Sequence, residues 1–444
     1  MTRRIEIVVN PASGSKLALS LAEQHVQPLL ISSLGSVSSD GVRIRQTESV
    51  ADGVRIGVEI ACEWLGSASD EEHSVLDLVL IGGDGTTHEV LNGLYLSQLD
   101  GEKASQRSAK ATLSVRLAIV PGGTANALYS GMYPHDWTQE VQYQVATASS
   151  TGDLSTDVVD VMLKSVRSLA SSISSKGERL AALPLILNHL EGGEAEELLV
   201  SHLVTSHALH AAILHDADTP EMRAQHKGIE RFKAAAQMNA TRWTHGRLSL
   251  HTRKDGGVQR YSPPTRGFEP VDDTEMEGPF LYLNAMVTDR LESAFIPAPL
   301  SSAFATSNSL PLSAIDVVVI RPRRDPSLSA DVVANEAQAG IQFATTRLGE
   351  ITTGMYSKGA HIDLTFEGGQ EPVVEYFRCS GYTFTPQSGE GEEKGRLVCT
   401  DGFISSAART TVSRWTGKEE EEEEAAAAGG KRVRKGIAAP LVWL

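Results

Sequence analysis

The chain has 444 residues, enough for two or three domains. Hydrophobic residues make up 41% and charged residues 22%, which excludes disorder as the global state. Forty Lys and Arg against 56 Asp and Glu leave a net charge of −16 and a pI near 5.3. That balance argues against a broad nucleic-acid-binding surface and leaves room for one local phosphate pocket. Cys62, Cys379 and Cys399 are too scattered for a disulfide framework or a zinc site, and read as reduced thiols in a cytosolic setting. No apolar run approaches the roughly 18–20 residues of a membrane span. Met1-Thr-Arg-Arg-Ile-Glu-Ile-Val-Val lacks the apolar stretch of a signal peptide. The expected location is cytoplasmic, with peripheral visits to intracellular membranes at most.

In chain order, Ile5 to Val9 reads as a strand and Asn10-Pro11-Ala12-Ser13-Gly14 as the turn after it. Leu17 to Leu30 and Val50 to Leu65 carry helical spacing, with a strand from Val42 to Gln46 between them. Leu76 to Ile81 is nearly continuous apolar, as in a parallel strand buried on both faces. Gly82-Gly83-Asp84-Gly85-Thr86 follows, then a helix from Thr87 to Leu99. Asp100 to Thr112 reads as a surface loop. Val115 to Val120 is a further buried strand, ending at Pro121-Gly122-Gly123-Thr124-Ala125-Asn126. The alternation predicts an α/β domain over 1–150, a parallel sheet with helices on both faces. Ligands bind at the carboxyl ends of such strands, where all three glycine turns fall.

Beyond residue 150 the pattern becomes short β-like runs, among them Asp157 to Leu163, Leu180 to Leu187, Leu198 to Ile213, Phe280 to Val287, Ile315 to Ile320, His361 to Phe366 and Val373 to Cys379. They predict a β-rich, sandwich-like second domain over 151–415, with a helical insert at Met222 to Met238 and polar loops at Gly256 to Gly278 and Thr385 to Gly395. Glu419 to Glu424, four alanines and Lys431-Arg432-Val433-Arg434-Lys435 make 416–444 read as a charged, solvated tail.

Glycines let a backbone approach a polyphosphate and turn N–H groups toward it, and a helix start adds a positive dipole end. A carboxylate in such a loop, Asp84, can contact Mg²⁺ or accept a hydroxyl proton near a γ-phosphate. The alternative for Asp84 is a helix cap. No Walker A loop, protein-kinase motif set or dinucleotide fingerprint is present. His88-Glu89 is followed by Asn92 where a zinc helix needs histidine.

The three turns, with His88-Glu89-Val90-Leu91-Asn92-Gly93, resemble the diacylglycerol-kinase catalytic domain superfamily. Asp218 followed by His226-Lys227-Gly228-Ile229-Glu230-Arg231-Phe232 is similar to its eukaryotic sphingosine-kinase and ceramide-kinase branch. The resemblance implies ATP and Mg²⁺ in a cleft between the domains. It implies phosphoryl transfer to a lipid hydroxyl, most closely that of a sphingoid base, with diacylglycerol or ceramide as alternatives. Transient contact with a membrane surface follows from such a substrate, and a nucleic-acid partner does not. It casts Asp84 as the catalytic carboxylate and a metal contact. Asn10, Pro11, Ser13, Gly14, Thr47, Gly82, Gly83, Gly85, Thr86, Glu89, Gly122, Gly123, Thr124 and Asn126 become nucleotide-binding, joined by Asp218, Arg231 and Asp401 from the second domain. One departure stands out: where the family carries Asp-Gly-Glu, this chain has Asp401-Gly402-Phe403. A non-catalytic nucleotide- or lipid-binding relative, an NAD kinase and an acidic-tailed scaffold remain alternatives.

Overall fold

The computed structural model describes residues 4–34, 42–67, 73–98, 112–174, 177–193, 196–226, 228, 230–302, 304, 310, 311, 313–328, 334–367, 369–387, 393–415, 431–434 and 436–444. The expected loop at 100–111, Lys227, Ile229, residues 388–392 and the glutamate run within 416–430 lie outside the described residues.

Six strands form the first sheet, in the order Val42–Gln46, Arg4–Val9, His73–Gly82, Thr112–Pro121, Leu441–Trp443 and Leu180–Ala182. All neighbours are parallel except the last pair. Consecutive residues Leu78, Val79, Leu80 and Ile81 are all buried, as are Ile7, Val8 and Val9. Because successive side chains point to opposite faces, both faces of the sheet are covered. This is the expected α/β architecture.

The β-rich half holds two antiparallel sheets of six and eight strands. Leu248, Phe384 and Val412 of one pack with Leu283, Val317 and Phe377 of the other in a single core. The layers therefore form a sandwich, as expected. Several local expectations are corrected. Residues 157–162 lie in the helix Thr156–Met162 and Leu163 is its C-cap, because Ser155 caps the start by accepting from the Val158 amide. Leu198 to Ile213 splits into the strands Glu197–Ser201 and Val204–His207, then the helix Ala208–Ala217. His361 lies in the short helix Ala360–Asp363. The expected polar loop at 256–278 supplies three short strands. The insert is helical, as Pro220–Gln225 and Glu230–Asn239.

The largest correction concerns the end of the chain. Leu441–Trp443 is an inner strand of the first sheet, between Thr112–Pro121 and Leu180–Ala182. Thus residues 431–434 and 436–444 are not a solvated tail, and the α/β layer takes strands from beyond residue 150. The apolar triplet Leu-Val-Trp was masked by the charges before it. Trp443 is fully buried, its Nε1 donates to Asp77 at 3.3 Å, and the Arg116 guanidinium lies 4.9 Å from its ring centre. Arg116 in turn forms a two-pronged pair with Asp77 at 2.8 and 2.7 Å. Arg434 donates to the carbonyls of Leu94 and Leu96, so the returning chain also satisfies the end of the helix Asp84–Tyr95.

Trp443→Ala removes the largest side chain of this returning strand. It should lower unfolding free energy by about 3–5 kcal/mol, the usual cost of emptying a buried aromatic site. Urea denaturation of both proteins measures it, and a change below about 1 kcal/mol would contradict an inner position for the strand.

Candidate active site

Arg4–Val9, His73–Gly82 and Thr112–Pro121 are adjacent and parallel, so their carboxyl-end turns meet. The Asn10 amide donates to Ile81 O at 3.0 Å and the Gly122 amide to Gly82 O at 2.7 Å. Asn10 Nδ2 donates to Thr86 Oγ1 at 2.9 Å, and Ser13 Oγ to Gly122 O at 3.1 Å. Glycine is required where these backbones touch. A Cβ on Gly14, whose φ is +48°, would lie 2.3 Å from Gly122 O. A Cβ on Gly123 would lie 2.5 Å from the Gly83 Cα. Contacts that short force backbone to move.

Asp84 is the first residue of the helix Asp84–Tyr95 and lines the cleft. Both its oxygens are engaged: Oδ2 accepts from the Ala127 amide at 2.8 Å and Oδ1 from the Leu128 amide at 3.1 Å. It thus satisfies the first amides of the helix Ala127–Met132, while the cap position of its own helix is held by Gly83 and not by Asp84 as the alternative reading expects. Burial pushes its carboxyl above the ordinary range, against the favourable field of His202 and the two amides. A raised carboxylate is the stronger base. Glu89 accepts from the amides of Ala51 and Gly53 at 3.0 and 3.1 Å, and so fixes the segment that carries Thr47.

The cleft has a volume of about 1070 Å³. Of the expected residues, Asn10, Pro11, Ser13, Gly14, Thr47, Gly83, Asp84, Gly85, Thr86, Glu89, Gly123, Thr124, Asp218 and Asp401 line it. Gly82, Gly122, Asn126 and Arg231 do not. Gly122 packs on Gly82, with 3.3 Å between a Cβ position on the first and the Cα of the second. Asn126, in the left-handed region, closes its own turn by accepting from the Gly123 amide and donating to its carbonyl. Arg231 pairs with Asp218 at 3.3 Å and lies over the Phe232 ring. These four stand behind the residues that line the cleft.

Arg223 instead faces the cleft, paired with Asp218 at 3.1 Å. It sits in a helix whose Thr219 cap and Pro220 are visible in the sequence, but its approach to the strand-end turns is set by tertiary packing. Leu214, Phe403 and Ile404 add an apolar part to the wall. Phe403 stacks on His88 at 4.5 Å between ring centres.

A resident Mg²⁺ does not fit these residues. Among the described residues, no cluster of three acidic, histidine or cysteine side chains could hold a metal. The carboxylates of Asp84, Glu89, Asp218 and Asp401 are each already bonded within the protein. The expected metal role of Asp84 thus has no supporting donor set.

Residues 4–161 match the family model described as the diacylglycerol kinase catalytic domain. Human sphingosine kinase 2 is 30% identical over 132 residues, covering 30% of this chain and 16% of that protein. Human sphingosine kinase 1 is 30% identical over 129 residues, covering 29% of this chain and 27% of that protein. The matched stretch thus spans under a third of either relative. A crystal structure of a diacylglycerol kinase from Bacillus anthracis aligns over 93% of both chains, at 12% identity and a TM-score of 0.43. The resemblance of the three turns to the diacylglycerol-kinase catalytic domain superfamily stands for residues 4–161.

Gly123→Ala tests the backbone contact. It should cost about 1–3 kcal/mol through overpacking and weaken ATP binding at least tenfold. Urea melts and calorimetric titration measure the two. Unchanged affinity would show that the contact does not shape the nucleotide cradle.

Proposed function

We propose that the chain transfers the γ-phosphoryl group of ATP to the hydroxyl of a lipid, with a sphingoid base as the first acceptor to test. The observation that carries this reading is a base-strengthened Asp84 at a helix start, in a cleft floored by three glycine turns. The family match over residues 4–161 supports it. Backbone N–H groups of the turns and the helix dipole suit a triphosphate. Mg²⁺ belongs to this reading as part of the substrate, carried on the phosphates of ATP.

In the proposed step the acceptor oxygen bonds to the γ-phosphorus as the bond to the β–γ bridging oxygen breaks. The hydroxyl proton passes to Asp84, and ADP leaves with the electron pair. Arg223 is the cationic side chain placed to offset charge on the phosphoryl oxygens. The acceptor lies in a membrane, so contact at a cytoplasmic membrane surface belongs to the proposal. No helix among the described residues is long and apolar enough to cross one.

Phe403 favours a second reading, a nucleotide-binding relative without turnover, since the family's glutamate is replaced. One experiment separates the two. Pure protein is incubated with labelled ATP, Mg²⁺ and micelles of sphingosine, ceramide or diacylglycerol. Label should enter sphingosine, and Asp84→Asn should lower the rate at least a hundredfold, within the roughly 10²–10⁴-fold contributed by a positioned base. Asparagine also weakens the cap on Ala127 and Leu128, so stability should fall by about 1 kcal/mol and is measured alongside. Label in no lipid, with ATP still bound, would overturn the kinase reading in favour of the second.

A further inference from the structure

The Asp401 carboxylate is fully buried although its residue borders the cleft. Its Oδ1 accepts from the amides of Leu203 and Val204, both at 3.0 Å. Its Oδ2 accepts from the His202 amide at 2.9 Å and from His88 Nδ1 at 3.0 Å, and lies 2.8 Å from His202 Nδ1. A carboxylate has about four lone-pair sites, and all are taken. The residue itself is held at φ +52°, an uncommon conformation for aspartate that packing here enforces.

These donors come from separate parts of the fold. His88 lies one helical turn after Asp84, on the same face of the helix Asp84–Tyr95. His202 to Val204 link two strands that lie in different sheets of the sandwich, and Asp401 turns the hairpin between Leu397–Thr400 and Phe403–Ser406. His202 is itself buried and lies close enough to Asp84 for each charge to act on the other. Burial opposes the charged form of His202, and Asp401 more than offsets it. The buried charge is thereby paired, as a desolvated carboxylate requires.

We propose that Asp401, with His88 and His202, is a clasp that fixes the β-rich half against the helix bearing Asp84, and that Asp401 never touches the nucleotide. It is a positioning residue for the transfer step, and its role differs from the nucleotide contact that the family resemblance implies. The inference rests on the proposed kinase activity only for its kinetic arm.

The test uses the full chain and the variants His88→Gln, His202→Gln and Asp401→Asn. The first two keep the backbone bonds to Asp401 and so guard against an Asp401→Asn protein that does not fold. Hydrogen exchange at Leu203 and Val204 should quicken at least tenfold in Asp401→Asn, or in His202→Gln if the former is unfolded. Calorimetric affinity for MgATP should stay within twofold in every folded variant. The kcat for lipid phosphorylation should fall at least tenfold with KM for ATP unchanged. His202→Gln added to Asp401→Asn should cost little more than Asp401→Asn alone, as for partners in one device. Tenfold weaker MgATP binding with unaltered exchange would make Asp401 a nucleotide ligand and overturn the clasp. Unaltered exchange and affinity together would also overturn it. If the wild-type protein phosphorylates no lipid, the kinase reading fails while exchange and affinity still decide the clasp.

Discussion

Three backbones can meet at one point in this molecule because none carries a side chain there. Gly14, Gly83 and Gly123 stand at the ends of three adjacent strands, close enough that any Cβ would strike a neighbouring main chain. The meeting point sits at the start of the helix Asp84–Tyr95, so the helix axis and the free faces of the turns address the same space. Side-chain bonds then fix the spacing: Ser13 ties the first turn to the third, and Asn10 ties the first to the second. The opposite end of the same helix is held by Arg434, from the last stretch of the chain. The helix that presents Asp84 is therefore anchored at both ends by segments far from it in sequence.

The acidic residues of the cleft divide by what they are bonded to. Glu89 is committed to two amides of the Thr47 segment and Asp218 to two arginines. Asp401 is saturated by donors and held well below the ordinary carboxylate range, burial opposing that shift and the two histidines outweighing it. Asp84 alone combines an edge on the cleft with a carboxyl raised by burial. Environments that push two carboxylates in opposite directions assign them different work. Asp401 is held toward its ionised form and Asp84 toward its protonated form.

What the sequence disclosed follows the range of the forces involved. The strand–turn–helix units around residues 10, 84 and 122 are local, and their glycines mark places where only backbone fits, so both the elements and their convergence were legible. Gly82, Gly122 and Asn126 belong to the same motifs yet serve the turns rather than the cleft, a distinction that needs three-dimensional packing. Asp401 and His202 are 199 positions apart, and no spacing rule joins them. Arg231 and Arg223 both pair with Asp218, and only the tertiary course of the insert decides which one faces the cleft. The final strand was hidden for a different reason. Its three residues sit behind a charged run, and their burial depends on a vacant position between Thr112–Pro121 and Leu180–Ala182.

Phe403 brings these lines together. It follows a turn pinned at Asp401, so its backbone has little freedom, and its ring lies flat on His88, itself a donor to that same carboxylate. A Cβ on Gly85 would sit 3.6 Å from the ring, so the aromatic occupies the space beside the start of the helix Asp84–Tyr95. An acidic side chain in its place would lose the stacking on His88 and put a negative charge beside that helix start.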